Sequence, residues 1–404
     1  MRTVAEHLAA CLDIAQAAPP LDVALPDAVG CVLAQDVVAS IDMPSVDCAN
    51  VDGYAVRGAD LEGACPDRPV ILDVIDAVRA GDVRTTSLIP GSAVLIDSGA
   101  PLPIGADTVV PWQHTDRGQA KVRISEVVPV GQEVRPRGHD VKQGETVLAQ
   151  GSRVGARQVA LIAAVGLNRV SVHPAPRVVI VSIGDELIEP GSQREPGSVF
   201  DANGHALATA VSDAGGRAFR VAAVPDEHQA LTQTLEDQLV RADVIITTGG
   251  LSVGQGDTVK DVLTPLGTVR FDSVSMWPGR QLGVGTIDEE TPVFCLPGDP
   301  VAAQIAFETF VRPVLRQIAG WSDLHRPSIP ASVTKGWHSP LGKREFVPVH
   351  VTGSPTKGYR AEPCSESGVT RVSALAKANA IAVVPEDVVT VVSGDRLHCL
   401  LLDA

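Results

Sequence analysis

The sequence is poor in aromatics: Phe, Trp and Tyr together make up 3% of its 404 residues. Its cores must therefore be assembled from Ala, Val, Ile and Leu. Positive charge is also short, with 33 Lys and Arg against 48 Asp and Glu and a formal charge of -15. That balance excludes nucleic acid or an anionic membrane as a general partner, because both require a positive footprint. An anionic ligand would need a local pocket in which Arg, Lys and backbone N–H groups reverse the field. The seven cysteines, at 11, 31, 48, 65, 295, 364 and 399, form no CxxC pair. An odd, scattered set argues against a disulfide framework or a zinc site and suits buried thiols in a reducing compartment. No apolar run approaches the ~18 residues of a membrane span. The opening stretch, MRTVAEHLAACLDIAQ, places Glu6, His7 and Asp13 where a secretion signal needs an unbroken apolar region. It spells an amphipathic helix instead, and the expected location is cytoplasmic. Neither GxxxxGK(S/T) nor a first-strand GxGxxG occurs, which disfavours P-loop ATP hydrolysis and nicotinamide redox chemistry.

What is there divides into regimes. A chain of 404 residues outgrows one ordinary core, so three or four domains are expected. Residues 1–18 form the helix, stopped by Pro19 and Pro20. From about 21 to 175, runs such as PVILDVIDAV, SAVLIDSG and KVRISEVVPV are separated by Gly, Pro and Asp, the pattern of short strands. Within this region RQVALIAAVG (157–166) has helical spacing and ends on a Gly suited to a C-cap. Between 177 and 320, RVVIVSIG, FRVAAV, DVIITTGG and TPVFCLPG are nearly continuous apolar strands. HALATAVSDAGG, DEHQALTQTLEDQLVRA and PVAAQIAFETFVRPVLRQIAG are the helices among them. Continuous Val/Ile runs alternating with helices predict parallel strands buried on both faces, a doubly wound α/β domain. RPSIP, from Arg326, marks a linker, and the remainder reads as a small all-β domain.

In a doubly wound sheet, ligands bind outside the carboxyl ends of the strands. The first strand here runs into IGDELIEPG, with Asp185 and Glu186 directly after it. A later strand runs into TTGGLSVGQGDTVKDVL, where Gly249, Gly250, Gly254 and Gly256 let a backbone approach a ligand and Ser252 offers a hydroxyl. Asp257 stands at the N-cap of the next helix. In LPGDPVAAQIAF, Pro300 suits the first helical position and leaves N–H groups facing outward. Two glycine-rich turns opening onto helix N-termini suggest a phosphorylated ligand. The plain structural readings are tight turns for the glycines and N-caps for Asp257 and Asp226. Glu186 has no such duty, since an acidic pair at a buried strand end caps nothing. A second cluster, MPSVDCANVDGYAVRGAD (43–60), carries Asp47, Asp52 and Gly53, which on pattern alone are a β-turn with solvated carboxylates. LIDSGAPLPIGADTVV (95–110) sets Ser98 and Gly99 before a rigid double-Pro loop.

Taken in order, VDGYAVR, SGAPLPIGADTVV, VRPRGHDVKQGE, GDELIEPG, TTGGLSVGQGDTVK, PGR and LPGDPVAA resemble the motif series of the molybdopterin molybdenumtransferases, the MoeA and gephyrin E-domain family. The resemblance implies an N-terminal helix (1–20) packing with the α/β or linker domain, a linker domain (21–45 and 141–175) and a β-rich domain with the VDGYA loop (46–140). It also implies a molybdopterin-binding, adenylyltransferase-like α/β domain (176–325) and a β-barrel-like C-terminal domain (326–404). The implied reaction inserts molybdate into adenylyl-molybdopterin, releasing AMP, with Mg²⁺ present, in a homodimer whose cleft takes residues from both subunits. The molybdopterin adenylyltransferase is a further expected partner. By the same resemblance Gly249, Gly250, Ser252 and Gly254 would hold pterin phosphate and pyrophosphate, with Lys260, Pro297, Gly298 and Pro300 beside them. Glu186 and Asp257 would ligate Mg²⁺. Arg280 and Arg344 would supply cations to molybdate or phosphate, and Asp52, Ser98 and Asp226 match acidic or hydroxyl positions of the cleft.

Departures bear on turnover more than on fold. VDCANVDGYA carries Cys48 and Ala49 where the family usually has Asn and Ser. Ser273 and Trp277 stand where some members have lysines, Gln281 replaces a common Pro, and Gln113 stands near a usual Glu. Asp299 stands in place of Asn, where it suits the helix dipole and could repel phosphate. The alternative expectation is a pterin-binding scaffold of the same fold with weakened catalysis. An adenylyltransferase sharing only the α/β domain fits less well, because the likeness extends beyond that domain.

Overall fold

The computed structural model describes residues 1–82, 86–251, 257–288, 290–366 and 369–402. The chain forms two compact units, one of Met1–Asp22, Gly30–Ala34 and Ser171–Ala404, the other of Val23–Val29 and Gln35–Val170.

The first unit begins with α1 (Val4–Asp13), which starts on a capping box: Thr3 Oγ1 accepts from Glu6 N–H and the Glu6 carboxylate accepts from Thr3 N–H. Val4, His7 and Cys11 recur on one face and are buried. His7 meets the edge of the Phe310 ring at 4.7 Å. The amphipathic pattern thus docks α1 onto the α/β core.

That core is a six-stranded sheet. In chain order it comprises β1 (Arg177–Ser182), β2 (Arg217–Arg220), β3 (Val244–Thr248), β4 (Arg270–Ser273), β5 (Gln281–Ile287) and β6 (Thr291–Leu296), arranged β2-β1-β3-β6-β5-β4. β2, β1, β3 and β6 are parallel, while β5 and β4 are antiparallel additions. Two apolar clusters cover opposite faces: Val178, Ile180 and Ile246 on one, Val179, Val181 and Ile245 on the other. A strand buried on both faces has no polar alternation, hence the unbroken Val/Ile runs. The helices are α2 (Ala202–Asp213), α3 (His228–Leu239), α4 (Thr258–Leu266), α5 (Pro300–Ala306) and α6 (Arg312–Ile318). The stretch read as one long helix is interrupted between α5 and α6 by a π-type segment, Phe307–Val311. Pro313, which has no N–H to return to the preceding turn, follows directly.

The C-terminal strands close on themselves. Arg344–Ser354, Gly358–Pro363, Ser328–Val333, Arg396–Leu401 and Ala380–Val384 pair in turn, and the last returns to the first. The expected small β-barrel is therefore present. RPSIP, read as a linker, is instead the entry to a barrel strand. Pro330 faces His398 on one side, and the strand on its other side pairs only from Ser332 onward. A proline survives there because it leaves few sheet donors unmatched.

The second unit is built on a mixed sheet in the order Thr108–Pro111, Gly53–Val56, Ser92–Ile96, Val70–Val78 and Lys121–Ile124. Tyr54, Val56, Leu72 and Val122 fill one face, and Ala55, Val94, Ile96 and Val109 the other. The predicted helix around 157–166 runs Ala156–Ala164, with Gly166 beyond it at φ 88°. Among the described residues no helix is long and apolar enough to cross a membrane.

Candidate active site

The ends of β1, β3 and β6 open on one cavity of about 330 Å³. Gly184 and Glu186 follow β1, Thr248, Gly249 and Gly250 close β3, and Gly298 and Pro300 lead from β6 into α5. Asp226, from the loop after β2, completes the wall. Of the residues expected from sequence, Glu186, Asp226, Gly249, Gly250, Gly298 and Pro300 share this one space.

The close approach depends on Gly249. Its φ is 89°, and a Cβ there would lie 2.2 Å from the Ile183 carbonyl oxygen. Only glycine fits, so β3 turns directly across the end of β1. Pro297 gives its carbonyl to the turn, accepting from Thr248 Oγ1 at 2.8 Å. Pro300 occupies the first turn of α5, as expected. Asp299 caps α5 through Oδ1, which accepts from Ala302 N–H, and its Oδ2 accepts from Thr370 Oγ1 at 3.1 Å. Both oxygens of the carboxylate feared as a phosphate repellent are thus engaged.

Asp226 departs from its plain reading. The cap of α3 is Glu227, with no side-chain cap bond. Asp226 lines the cavity, and its N–H donates to Asp185 Oδ1 at 2.9 Å. Asp257 does cap α4, accepting from the Lys260 N–H at 3.3 Å. Burial pushes its carboxyl above the usual carboxylate range, and the charges of Asp261 and Asp226 add to the rise against the lowering pull of Lys260. Lys260 itself is exposed on α4. Ser252 and Gly254 lie outside the described residues.

Arg280 and Arg344 are not among the residues that line this cavity. Gly279 leaves a side chain no room beside Ala302 and Pro297, which sets the PGR turn against the start of α5. Arg280, next in sequence, is exposed, and its carbonyl accepts from Val274 N–H. Arg344 is committed elsewhere, in an ion pair with Glu386 at 3.1 Å. Trp277 has the Lys343 ammonium 5.6 Å from its ring centre.

In the second unit, Asp52 and Ser98 meet: the Ser98 N–H donates to Asp52 Oδ1 at 2.7 Å. Both are exposed. The turn is braced from behind, where Arg137 N–H donates to Asp47 Oδ1 and Arg135 reaches Asn50 Oδ1 at 2.9 Å.

Three family descriptions match successive parts of the chain: MoeA N-terminal region (domain I and II) over residues 2–166, probable molybdopterin binding domain over 179–317, and MoeA C-terminal region (domain IV) over 330–402. Molybdopterin molybdenumtransferase 2 of Mycobacterium tuberculosis is 38% identical over 407 residues, covering 98% of this chain and 99% of the relative. The chain belongs to the molybdopterin molybdenumtransferase family. The molybdopterin molybdenumtransferase of Bacillus subtilis is 31% identical, covering 94% of this chain and 89% of its own length. A crystal structure of the molybdopterin biosynthesis MoeA protein from Pyrococcus horikoshii superposes with a TM-score of 0.83 at 30% identity, covering 99% and 98% of the two chains.

Within this molybdenumtransferase fold the sequence reading missed one set of cavity residues. Ser182, Asp201 and Asn203 all line the pocket. Asp201, almost fully buried, caps α2 through the Gly204 N–H at 2.8 Å and accepts from Ser182 Oγ at 2.9 Å. Arg220 Nη1 lies 3.4 Å away. The available signal was the spacing Asp-x-Asn at the start of a helix that follows the acidic loop. A polar residue there reads as a cap, and a cap it is, but one whose neighbour faces the ligand space.

Proposed function

We propose that the protein catalyses the reaction for which its family is named, in the cytoplasm and as a homodimer. Adenylyl-molybdopterin and molybdate would be consumed, and AMP and molybdenum-bound molybdopterin released. One observation carries the reading. Loops remote in sequence, nominated separately as phosphate or acidic sites, border a single cavity at the strand ends of a doubly wound sheet.

The residues have physical roles that fit. The Gly249–Gly250 turn lets a ligand reach backbone that a side chain would screen. The start of α5 borders the same space through Gly298 and Pro300, with both Asp299 oxygens turned to Ala302 N–H and Thr370 Oγ1. Arg280 is the exposed cation nearest in sequence to that turn and is assigned to the oxyanion. Mg²⁺ fits the donor set. Among the described residues no three side chains converge as a ready-made metal cage. Magnesium requires only one or two carboxylates, with water and substrate phosphate completing its shell. Glu186 and Asp257 are hard oxygen donors, and the repulsion that Asp257 feels from Asp226 and Asp261 is what a cation relieves. When bound, the ion would neutralise the pyrophosphate. Asp52 and Ser98 would act at the molybdate, Asp52 orienting its oxygens or taking a proton as the metal is captured. The molybdopterin adenylyltransferase would supply the substrate.

Arg344 favours the second reading, a binding homologue, since its charge is already committed to Glu386. Purified protein with adenylyl-molybdopterin, Mg²⁺ and micromolar molybdate decides between the two. AMP release that depends on molybdate is the expected outcome. Tight binding of the adenylylated pterin with no such release would leave only the scaffold.

A further inference from the structure

Asn203 is the cavity residue whose hydrogen-bonding capacity is half used. It stands in the first turn of α2, is 9% exposed and lines the cavity. Its Nδ2 donates to Thr248 Oγ1 at 2.8 Å and to the Gly298 carbonyl at 2.9 Å. Thr248 Oγ1 passes its own proton to the Pro297 carbonyl. These bonds fix which way the amide lies. Turned over, Oδ1 would face the Gly298 carbonyl, two acceptors with no proton between them. Asn203 Oδ1 is left with no hydrogen-bond partner among the described residues.

A buried acceptor without a donor is a standing penalty, removed only when a donor arrives. The neighbouring carboxylate of Asp201 does not share the condition. Asp201 already receives Ser182 Oγ, the Gly204 N–H and Arg220. A phosphate is largely dianionic at neutral pH, and its oxygens, like those of an oxyanion, would be repelled by a second oxygen. The complementary group is an N–H on a neutral heterocycle, and the amide–amine edge of a pterin carries such donors.

We infer that Asn203 is a specificity-determining residue that accepts, through Oδ1, an N–H from the ligand's pterin ring, an assignment that rests on the pterin reading above. The inner end of the cavity beside α2 then takes the ring, and the turns at Gly249 and Pro300 take the charged end. The same Nδ2 bonds tie α2 to the end of β3 and the loop after β6, so the ring site and the anion site share one polar hub. Sites built around a buried polar group reject analogues lacking its complement, because the group is then left unpaired.

Fluorescence titration of the full chain tests this with two probes. One is 6-hydroxymethylpterin; the other is its 3-methyl, 2-dimethylamino counterpart, which lacks both N–H donors. Wild type should prefer the first by at least ~10-fold, as expected for one buried hydrogen bond. Asn203→Leu should bind both alike. Should the leucine variant fail to fold, Asn203→Ser, whose oxygen is withdrawn, should lose the preference in its place. Equal weakening toward both probes with the ratio unchanged would show that Asn203 only holds loops, and the inference falls. Wild type binding both probes equally also overturns it, leaving the pterin reading intact. Wild type binding neither overturns both.

Discussion

The cavity of the α/β domain and the Asp52 turn of the second unit are made of similar residues, glycines and carboxylates after strands, yet they differ in kind. At the cavity, parallel strands end side by side, so three loops must share one space and polar groups are buried in its wall. At the Asp52 turn, antiparallel neighbours carry the chain back on itself and leave Asp52 and Ser98 exposed. An enclosed site can bind by itself. An exposed turn can only act on something already held.

Glycine substitutions break that contrast most strongly. Gly249→Ala faces both a positive φ and a carbonyl 2.2 Å from the new carbon, whereas Gly99 at φ 77° meets nothing within 4 Å. The first should destabilise its unit by about 4 kcal/mol and the second by about 1. Denaturant melts of both variants, with m-values checked, measure the gap. Equal losses would mean that the β3 turn is not pinned against β1.

Acid should separate the units next. His7, 2% exposed in the first unit, has its imidazole pushed down to about 4 by desolvation. The unfolded chain takes up that proton near pH 6.5, while the folded chain refuses it until about pH 4. Stability is therefore complete above pH 6.5 and lost as pH falls through that window, by about 3 kcal/mol in all. The described histidines of the second unit, His114 and His139, are not buried. Thermal midpoints of wild type and His7→Gln between pH 7 and 4 should converge toward the acid end; parallel curves would remove His7 from the account.

Turnover should divide along the same line. Asp257→Ala is expected to lower Mg²⁺-dependent AMP release by about 100-fold, the scale of a lost electrostatic contact at a reacting phosphate. Asp52→Asn, which keeps an acceptor for the Ser98 N–H, should cut turnover comparably while leaving affinity for the adenylylated pterin unchanged. Weaker pterin binding in Asp52→Asn would show that the turn is part of the binding site after all. The smallest effect belongs to Arg344→Ala. Its partly exposed pair with Glu386 should contribute no more than about 0.5 kcal/mol, read as a shift of about a degree in melting. A large drop in molybdate-dependent rate would instead return Arg344 to the anion.

The same contrast explains what the sequence could tell. Parallel strands buried on both faces announce themselves as RVVIVS or VIITT, and the loops after them are placed by the fold class itself. Glu186, Asp226, Gly249, Gly250, Gly298 and Pro300 were legible for that reason. β4 and β5 were not: QLGVGTI is diluted by Gly283 and Gly285, and RFDS is too short to show a period. Asn203 stayed hidden because its Nδ2 acceptors come from the end of β3 and the loop after β6, a fact of tertiary structure with no local signature. Arg344, expected at the anion, is paired with Glu386, a partner 42 residues on that has no local signature.

The order in which the chain is threaded has a consequence for synthesis. The first unit takes its opening segment from Met1–Asp22 and its body from Ser171 onward, so α1 leaves the ribosome long before the surface it docks on exists. The second unit, finished by Val170, can fold while Val4, His7 and Cys11 still wait uncovered. For that interval the chain carries an unshielded apolar stripe, and a nascent protein stalled between the two units is the form most prone to aggregate.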